Sequence, residues 1–340
     1  MNFKRLIRRS ETILIIIIIF LSLAIGIKSP SFLSIASVFD IFRSSIVQLI
    51  FALAVLIVIV SGGIDISFPT VGIFAGYSAV VIMQKFEVDP NSLIVPLILS
   101  LTIGLLLGLV NALLIAGFQI PTLIATLGTA GIFRGCLLSF VGITYISEIP
   151  MGLDNFATAD LLKIESETAP LARLHILIIP VTLLLIGVSF LLRKTMFGRS
   201  VYALGGGTES ARRLGISTRR VQVKIYMLVG VLSGFAGILF VSLQRKASPY
   251  DLATVELEVI AAVVLGGASI MGGYGTVFGT VLGVILINLI KGNLILLGVS
   301  SSWQRAAVGL LLIIGITLQA VSETRKARKR KLSSDDEVIA

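Results

Sequence analysis

The residues with the clearest chemical potential interrupt an apolar part of the chain. Residues 61–76 contain two adjacent glycines, an aspartate (Asp65) and a proline (Pro69), with long apolar runs on both sides. A carboxylate at the centre of a bilayer costs about 3 kcal/mol or more. Unpaired backbone in lipid adds several kcal/mol per group, so such a break is stable only against protein or beside a water-filled cavity. The pattern predicts an interrupted helix that lines a polar path, with five residues on that path: Ser61, Gly62, Gly63, Asp65 and Ser67.

The carboxylate of Asp65 has two possible roles. It either accepts hydrogen bonds from the hydroxyl groups of a solute in the path, or it caps the helix that resumes after the break. The cap is favoured because Ser67 and Pro69 are residue types found where helices start. Other polar side chains inside apolar segments suit the weak contacts that a neutral polyol needs, namely Asn111, Thr126, Thr129, Ser269 and Asn288. Each of these is also explained by an ordinary hydrogen bond between helices.

The composition is that of a membrane protein. Of 340 residues, 56% are hydrophobic and 14% are charged, whereas soluble domains carry about 25% charged residues. We therefore predict an all-α, polytopic integral membrane protein, and the segment lengths indicate about ten transmembrane helices. The single cysteine, Cys136, excludes an internal disulfide, and the single histidine, His175, excludes a multi-histidine metal site. The sequence contains no nucleophile–base or metal constellation, so it predicts neither an enzyme nor a cofactor.

The charge distribution predicts the orientation in the membrane. The net charge of +10 comes from basic residues at the two ends and in residues 193–224. Such clusters mark the cytoplasmic side and anchor it beside the anionic lipid of the bilayer, so nucleic acid is not an expected partner. Both termini are predicted to be cytoplasmic, with a transmembrane domain over residues 1–324 and a disordered tail over 325–340. No Gly-Lys dipeptide occurs, which excludes a P-loop for ATP hydrolysis.

A second glycine-rich break resembles the first in its surroundings. The pair Gly62-Gly63 is followed by further glycine and then asparagine, and so is the pair Gly266-Gly267. Two interrupted elements of opposite orientation are typical of inverted repeats in transporters. The sequence therefore predicts an inverted repeat, with Gly266, Gly267 and Ser269 on the same polar path as the first break.

The basic block contains a candidate coupling element. Gly205-Gly-Gly-Thr208 predicts a turn, and Glu209-Ser-Ala-Arg-Arg-Leu214 predicts a short helix after it. A rigid helix on a cytoplasmic loop suits an element that fits into a partner protein. Charge alone favours the other interpretation, an ordinary anchoring loop whose positive residues only fix the topology.

Three separated stretches carry a family resemblance. They are Ser61-Gly-Gly-Ile-Asp-Ile-Ser67, Phe197-Gly-Arg-Ser-Val-Tyr-Ala-Leu-Gly-Gly-Gly-Thr-Glu-Ser-Ala-Arg-Arg-Leu-Gly-Ile216 and Ile260-Ala-Ala-Val-Val-Leu-Gly-Gly-Ala-Ser-Ile-Met-Gly-Gly-Tyr-Gly275. Together they resemble the permease subunits of bacterial ABC importers for ribose-type monosaccharides and for autoinducer-2. Weaker matches at residues 120–129 and 297–301 extend the resemblance over nearly the whole chain. The first stretch departs from the family pattern, because Phe68-Pro69 follows where a small residue and a glycine are common.

The resemblance implies a permease in the bacterial cytoplasmic (inner) membrane that translocates a ribose-type sugar or autoinducer-2. It implies three protein partners: a cytoplasmic ATP-binding subunit that hydrolyses ATP, an extracytoplasmic solute-binding protein, and a second permease subunit in a homodimer or heterodimer. It assigns coupling to the ATPase to nine residues of the cytoplasmic loop, Gly205, Gly206, Gly207, Thr208, Glu209, Ala211, Arg212, Leu214 and Gly215. The alternative function is a stand-alone, ion-coupled secondary transporter with Asp65 as the proton or sodium site.

Overall fold

The computed structural model describes residues 10–164 and 171–293, together with positions 300, 303, 306, 309, 310, 313 and 317. The last predicted transmembrane segment therefore falls mostly outside the described residues, and the predicted tail over 325–340 falls entirely outside them.

The described chain contains twelve α-helices. In chain order they are α1 Ser10–Lys28, α2 Ile35–Val60, α3 Phe68–Lys85, α4 Ile94–Ala112, α5 Thr122–Cys136, α6 Met151–Ala157, α7 Ile178–Lys194, α8 Met196–Gly206, α9 Thr208–Arg213, α10 Thr218–Gln244, α11 Val255–Leu265 and α12 Val277–Asn293. Single π-helical turns, Leu113–Gly117 and Leu137–Val141, continue α4 and α5, and a 3-10 turn, Pro30–Leu33, precedes α2.

A small β-hairpin lies between α6 and α7. Strand β1 (Asp160–Ile164) pairs antiparallel with β2 (Ala172–His175), and the register shifts between Asp160 and Leu162. The sequence analysis did not predict this hairpin. An irregular register removes the strict alternation of inward and outward residues by which a strand is recognised in a sequence.

The helix lengths confirm an all-helical, polytopic membrane protein. Among the residues that the structure describes, five helical segments are long and apolar enough to span a bilayer, and a sixth is the α7–α8 pair, which bends by 69° at its break. The prediction of about ten spans also counts shorter helices such as α11. At 1.5 Å per residue, the 11 residues of α11 extend about 16 Å, which is roughly half of the hydrocarbon thickness. The inverted repeat stays a prediction.

Helix α2 forms the centre of the bundle. Its N-terminus is capped by Ser34, whose hydroxyl accepts a hydrogen bond from Ser37 N at 3.3 Å. Every residue from 49 to 60 is buried, as expected for a helix that is apolar on all sides. Helices α10 and α12 pack along α2, and α10 also packs along α3 and α4.

Glycines allow these helices to pack backbone against backbone. A methyl group placed on Gly104 of α4 would lie 2.3 Å from Gly230 O of α10, and one on Gly237 of α10 would lie 1.9 Å from Gly72 O of α3. Distances this short mean that no side chain fits between the helices. Close approach through small residues is a main source of helix association in membranes, so these contacts hold α10 against α3 and α4.

We expect Gly237→Ala to destabilise the protein and Gly187→Ala to leave its stability unchanged. The methyl group of the first variant collides with Gly72 O, whereas a methyl group on Gly187 of α7 meets no atom within 4 Å. Overpacking of this kind costs about 1–3 kcal/mol. The melting temperature of the purified protein in detergent, followed by circular dichroism, measures the difference. Equal melting temperatures for the two variants would contradict the glycine-mediated packing.

Candidate solute path and coupling junction

The first predicted break is an irregular segment of seven residues between α2 and α3, residues 61–67. Helix α2 ends with two hydrogen bonds to the same carbonyl oxygen, Val58 O. Ser61 Oγ donates to it at 2.7 Å and Gly63 N donates to it at 3.0 Å. Gly62 has φ +85°, a conformation that side chains disfavour. The glycine pair therefore ends α2 and turns the chain into the break.

Asp65 organises the start of α3. Its Oδ1 accepts hydrogen bonds from Ser67 N and from Ser67 Oγ, both at 2.7 Å. Ser67 Oγ accepts in turn from Asn111 Nδ2 at 2.8 Å, and Asn111 Oδ1 accepts from Thr129 Oγ1 at 2.7 Å. These bonds join the break to α4 and α5 in one chain of side chains. The contacts of Oδ1 are those of a residue that fixes a helix start.

The threonines of α5 bind the backbone of the break. Thr122 Oγ1 accepts from Ile64 N at 3.1 Å, and Thr126 Oγ1 accepts from Ile66 N at 3.3 Å. Backbone groups that lack helical partners must be satisfied by protein at this depth. Thr122 was not among the predicted path residues, although it is four positions before Thr126 and therefore lies on the same face of the helix.

The structure brings five predicted path residues together in this network and buries them to at most 2% exposure: Asp65, Ser67, Asn111, Thr126 and Thr129. The network is thus closed to solvent in this conformation. Among the described residues, its internal bonds occupy the donors and acceptors that contact with a solute would require, except for Asp65 Oδ2.

The remaining predicted path residues lie elsewhere. Asn288 donates to Ser45 Oγ at 2.9 Å and joins α12 to α2. Gly266 packs against Gly279, since a methyl group on Gly266 would lie 2.5 Å from Gly279 O, and Gly267 has φ +92° at the end of α11. Ser269 lies in the second break, where its backbone N donates to Tyr274 O at 2.9 Å.

The two breaks and the predicted coupling loop meet at a point that we call the glycine junction, formed by Gly62, Gly205 and Gly272. A methyl group on Gly205 would lie 1.9 Å from Val60 O, and one on Gly272 would lie 2.8 Å from Gly62 Cα and 2.9 Å from Gly205 Cα. Gly273 N also donates to Val60 O at 2.9 Å. Residues that the sequence analysis assigned to separate roles are therefore in direct backbone contact.

Helix α8 connects the junction to the short helix α9. Tyr202 of α8 donates from its hydroxyl to Gly275 O at 2.7 Å, which adds a second contact with the second break. Gly207, with φ +143°, then separates α8 from α9. Between Gly205 at the junction and the start of α9, the chain therefore contains only the end of α8 and the turn at Gly207.

Helix α9 is an exposed helix of six residues, Thr208–Arg213, one residue earlier than predicted at each end. Ala211 is fully buried and fixes it to the bundle, whereas Leu214 just beyond it is 75% exposed. Glu209 and Arg213 form an exposed ion pair at 3.6 Å. An exposed leucine among charged residues is suited to contact with another protein.

Helix α10 carries the chain from α9 to the opposite end of the bundle. Its 27 residues extend about 40 Å. At the far end, Ser242 Oγ donates to Leu153 O of α6 at 2.7 Å, and Arg245 donates to both carboxylate oxygens of Asp154, at 2.5 and 2.8 Å. These hydrogen bonds lower the pKa of Asp154. The Arg245–Asp154 contact, which spacing in the sequence did not reveal, lines an open cleft of about 430 Å³.

Comparisons with known proteins agree with this architecture. Residues 37–316 match the family described as "Branched-chain amino acid transport system / permease component". The chain is 32% identical over 306 residues to the autoinducer 2 import system permease protein LsrC of Yersinia pseudotuberculosis serotype O:3 (strain YPIII), a match that covers 90% of this chain and 83% of the relative. The LsrC protein of Yersinia pestis (strain Pestoides F) matches with the same identity and coverage. No solved structure matches the chain. The resemblance found in the sequence is thereby confirmed, and the chain belongs to this family of transport-system permease components.

Proposed function

We propose that the chain is the membrane-spanning permease subunit of an ABC-type importer in the bacterial cytoplasmic membrane. It translocates a ribose-type sugar or autoinducer-2, and a cytoplasmic ATP-binding subunit supplies the energy by hydrolysing ATP. The observation that carries this proposal is the match to autoinducer-2 import permeases over 90% of the chain. Both termini face the cytoplasm in this proposal, on the same side as α9.

The glycine junction supports a direct mechanical link between the partner ATPase and the path. Helix α9 binds the ATP-binding subunit, and its movement passes through one glycine turn and α8 to Gly205. Since Gly205 touches Val60 and Gly272 without an intervening side chain, a displacement of α8 shifts both breaks at once. Packed interiors change between discrete arrangements rather than deforming continuously, so a small shift is enough to switch access to the path.

The polar network supports a path for a neutral polyol. Hydrogen bonds between helices in membranes contribute about 0.6 kcal/mol on average. Replacing the bonds among Ser67, Asn111 and Thr129 by bonds to the hydroxyl groups of a solute therefore changes the free energy little. Weak, multiple contacts of this kind let a transporter both bind and release its solute.

The far end of the bundle is the proposed docking site of the extracytoplasmic solute-binding protein. The cleft beside Asp154 and Arg245 is open, and its lining combines the charged side chains of Glu148, Asp154 and Arg245 with the apolar Ile149 and Met151. Helix α10 connects it with α9 through one uninterrupted helix, so docking and ATP hydrolysis act on the same rigid element.

Helix α5 is the proposed contact with the second permease subunit, which we take to be a second copy of the chain. Methyl groups on Gly128, Gly131 and Gly135 meet no atom within 4 Å, whereas glycines on α3, α4 and α10 meet another helix. These three glycines lie on one face of α5. Large apolar side chains flank them, Ile124, Leu127 and Ile132, each 61–64% exposed.

The test of the function uses vesicles that contain the permease with its ATP-binding subunit and the solute-binding protein. We expect uptake of autoinducer-2 or D-ribose to require ATP and the ATP-binding subunit. Asp65→Asn keeps a side-chain oxygen that accepts from Ser67, so uptake falls less than tenfold. Uptake that follows an ion gradient without the ATPase, and that Asp65→Asn abolishes, would establish the secondary transporter instead.

A second experiment tests the coupling element. Glu209→Ala and Arg212→Ala are combined; both residues are exposed, so folding is unaffected. We expect at least a tenfold loss of co-purified ATP-binding subunit and of uptake, because α9 loses its charged contacts with that subunit. The control combines Arg219→Ala and Arg220→Ala, two exposed residues of the same basic block. If the two double variants retained equal amounts of co-purified ATP-binding subunit and equal uptake, the interpretation of α9 as an ordinary anchoring loop would be the correct one.

A third experiment tests the α5 contact. Gly131→Cys, in a Cys136→Ser background, is oxidised in membranes, and we expect a disulfide-linked dimer because the two copies of α5 lie within disulfide distance. Gly187→Cys on α7 is the control and stays monomeric on a denaturing gel. A cross-link from Gly187→Cys alone would move the interface to α7, and a cross-link to a different chain would establish a heterodimer.

A further inference from the structure

Two buried polar atoms beside the first break lack hydrogen-bond partners. Asp65 Oδ2 and Tyr226 Oη each have no partner within the described parts of the chain, and each residue is only 2% exposed. The side chain of Thr122 approaches the tyrosine hydroxyl without the geometry of a hydrogen bond. Buried polar groups in native proteins are nearly always hydrogen-bonded, so this pair calls for an explanation.

Asp65 lies in the first break and Tyr226 lies on helix α10, which passes beside that break. Tyr226 belongs to α10, where a methyl group on Gly108 of α4 would lie 2.4 Å from Tyr226 O. This packing fixes the backbone that carries the ring. At the other end of the ring, a methyl group on Gly63 would lie 3.2 Å from the hydroxyl. Gly63 precedes Asp65 by two residues, so the hydroxyl of Tyr226 lies against the same short segment that carries the carboxylate.

The hydrogen-bonding properties of Asp65 Oδ2 and Tyr226 Oη indicate which chemical group can bind to both. An ionised carboxylate oxygen only accepts hydrogen bonds, whereas a tyrosine hydroxyl both donates and accepts. A single alcohol group satisfies both when it donates to Asp65 Oδ2 and accepts from Tyr226 Oη. We propose that Asp65 Oδ2 and Tyr226 Oη form a subsite for one hydroxyl group of the transported solute. This proposal rests on the proposed function and adds to it a residue on α10 that contacts the solute.

The subsite gives the two oxygens of Asp65 different tasks. Oδ1 is occupied by Ser67 N and Ser67 Oγ and holds the start of α3, while Oδ2 is left for the solute. Both interpretations of Asp65 that the sequence left open are then correct, one for each oxygen. In the present conformation Gly63, Thr122 and Tyr226 lie close together, so the solute enters only when the break moves away from α10.

The test compares Tyr226→Phe with Tyr77→Phe, a matched control in α3. Tyr77 is 1% exposed, and its hydroxyl donates to Thr144 O at 2.9 Å. We expect Tyr226→Phe to raise the KM for uptake of autoinducer-2 or D-ribose by about three- to tenfold, the equivalent of one hydrogen bond, without lowering the melting temperature. Tyr77→Phe loses an internal hydrogen bond, so it lowers the melting temperature and leaves the KM unchanged.

A double variant tests whether the two atoms serve the same hydroxyl group. Asp65→Asn and Tyr226→Phe combined should raise the KM by less than the product of the two single effects. The effects of substitutions at two residues that contact the same group are not additive. An unchanged KM in Tyr226→Phe, or a melting temperature lowered as in Tyr77→Phe, overturns the subsite, since the second result means that the hydroxyl makes a structural hydrogen bond.

The outcomes also separate this proposal from the function on which it rests. If the wild-type complex takes up neither autoinducer-2 nor D-ribose, the proposed function fails and the subsite fails with it. If the wild-type complex takes up either solute and Tyr226→Phe behaves like the wild type, only the subsite fails.

Discussion

A helix that breaks inside a bilayer leaves backbone N–H and C=O groups that only protein can satisfy, and the architecture of this permease follows from that constraint. The break over residues 61–67 is stable because Thr122 and Thr126 accept from its backbone and because Asp65 closes the first turn of α3. Each unsatisfied group at this depth would cost several kcal/mol. Helix α5 therefore has to stay beside the break, and its position fixes the outer layer of the bundle at that point.

Glycine also allows two breaks and helix α8 to meet at one point. A side chain on Gly205 or Gly272 would collide with backbone atoms of the neighbouring segment. Contact without side chains also removes the interlocking that usually resists sliding between packed elements. The glycine junction is thus compact and free of interlocking side chains, two properties that suit the proposed coupling to an ATP-binding subunit.

The sequence predicted the class of fold and the first break. It also singled out Asp65, Ser67, Asn111, Thr126 and Thr129, because a polar residue in an apolar helix needs a partner, but it did not predict that these five residues form one network. It did not predict which separated segments meet. Gly62 and Gly205 lie more than 140 positions apart. A glycine also has no side chain whose size, charge or polarity could indicate which residue it contacts. Tyr226 was missed for a related reason, since a single tyrosine in an apolar helix is typical of ordinary packing.

Helix α10 connects the parts of the molecule to which the proposed mechanism assigns a role. It begins just after α9, packs through Gly230 and Gly237 on two neighbouring helices, and ends where Arg245 binds Asp154. Its closest contacts with α3 and α4 are made by glycine backbone, and Ser100 Oγ of α4 adds a hydrogen bond to Gly234 O at 2.7 Å. In the proposed mechanism α10 shifts relative to these two helices. Tyr226 lies on the same helix beside the break, so any such shift changes its separation from Asp65. In the proposed mechanism, movement at either end of α10 therefore reaches the polar centre of the bundle through a helix of about 40 Å.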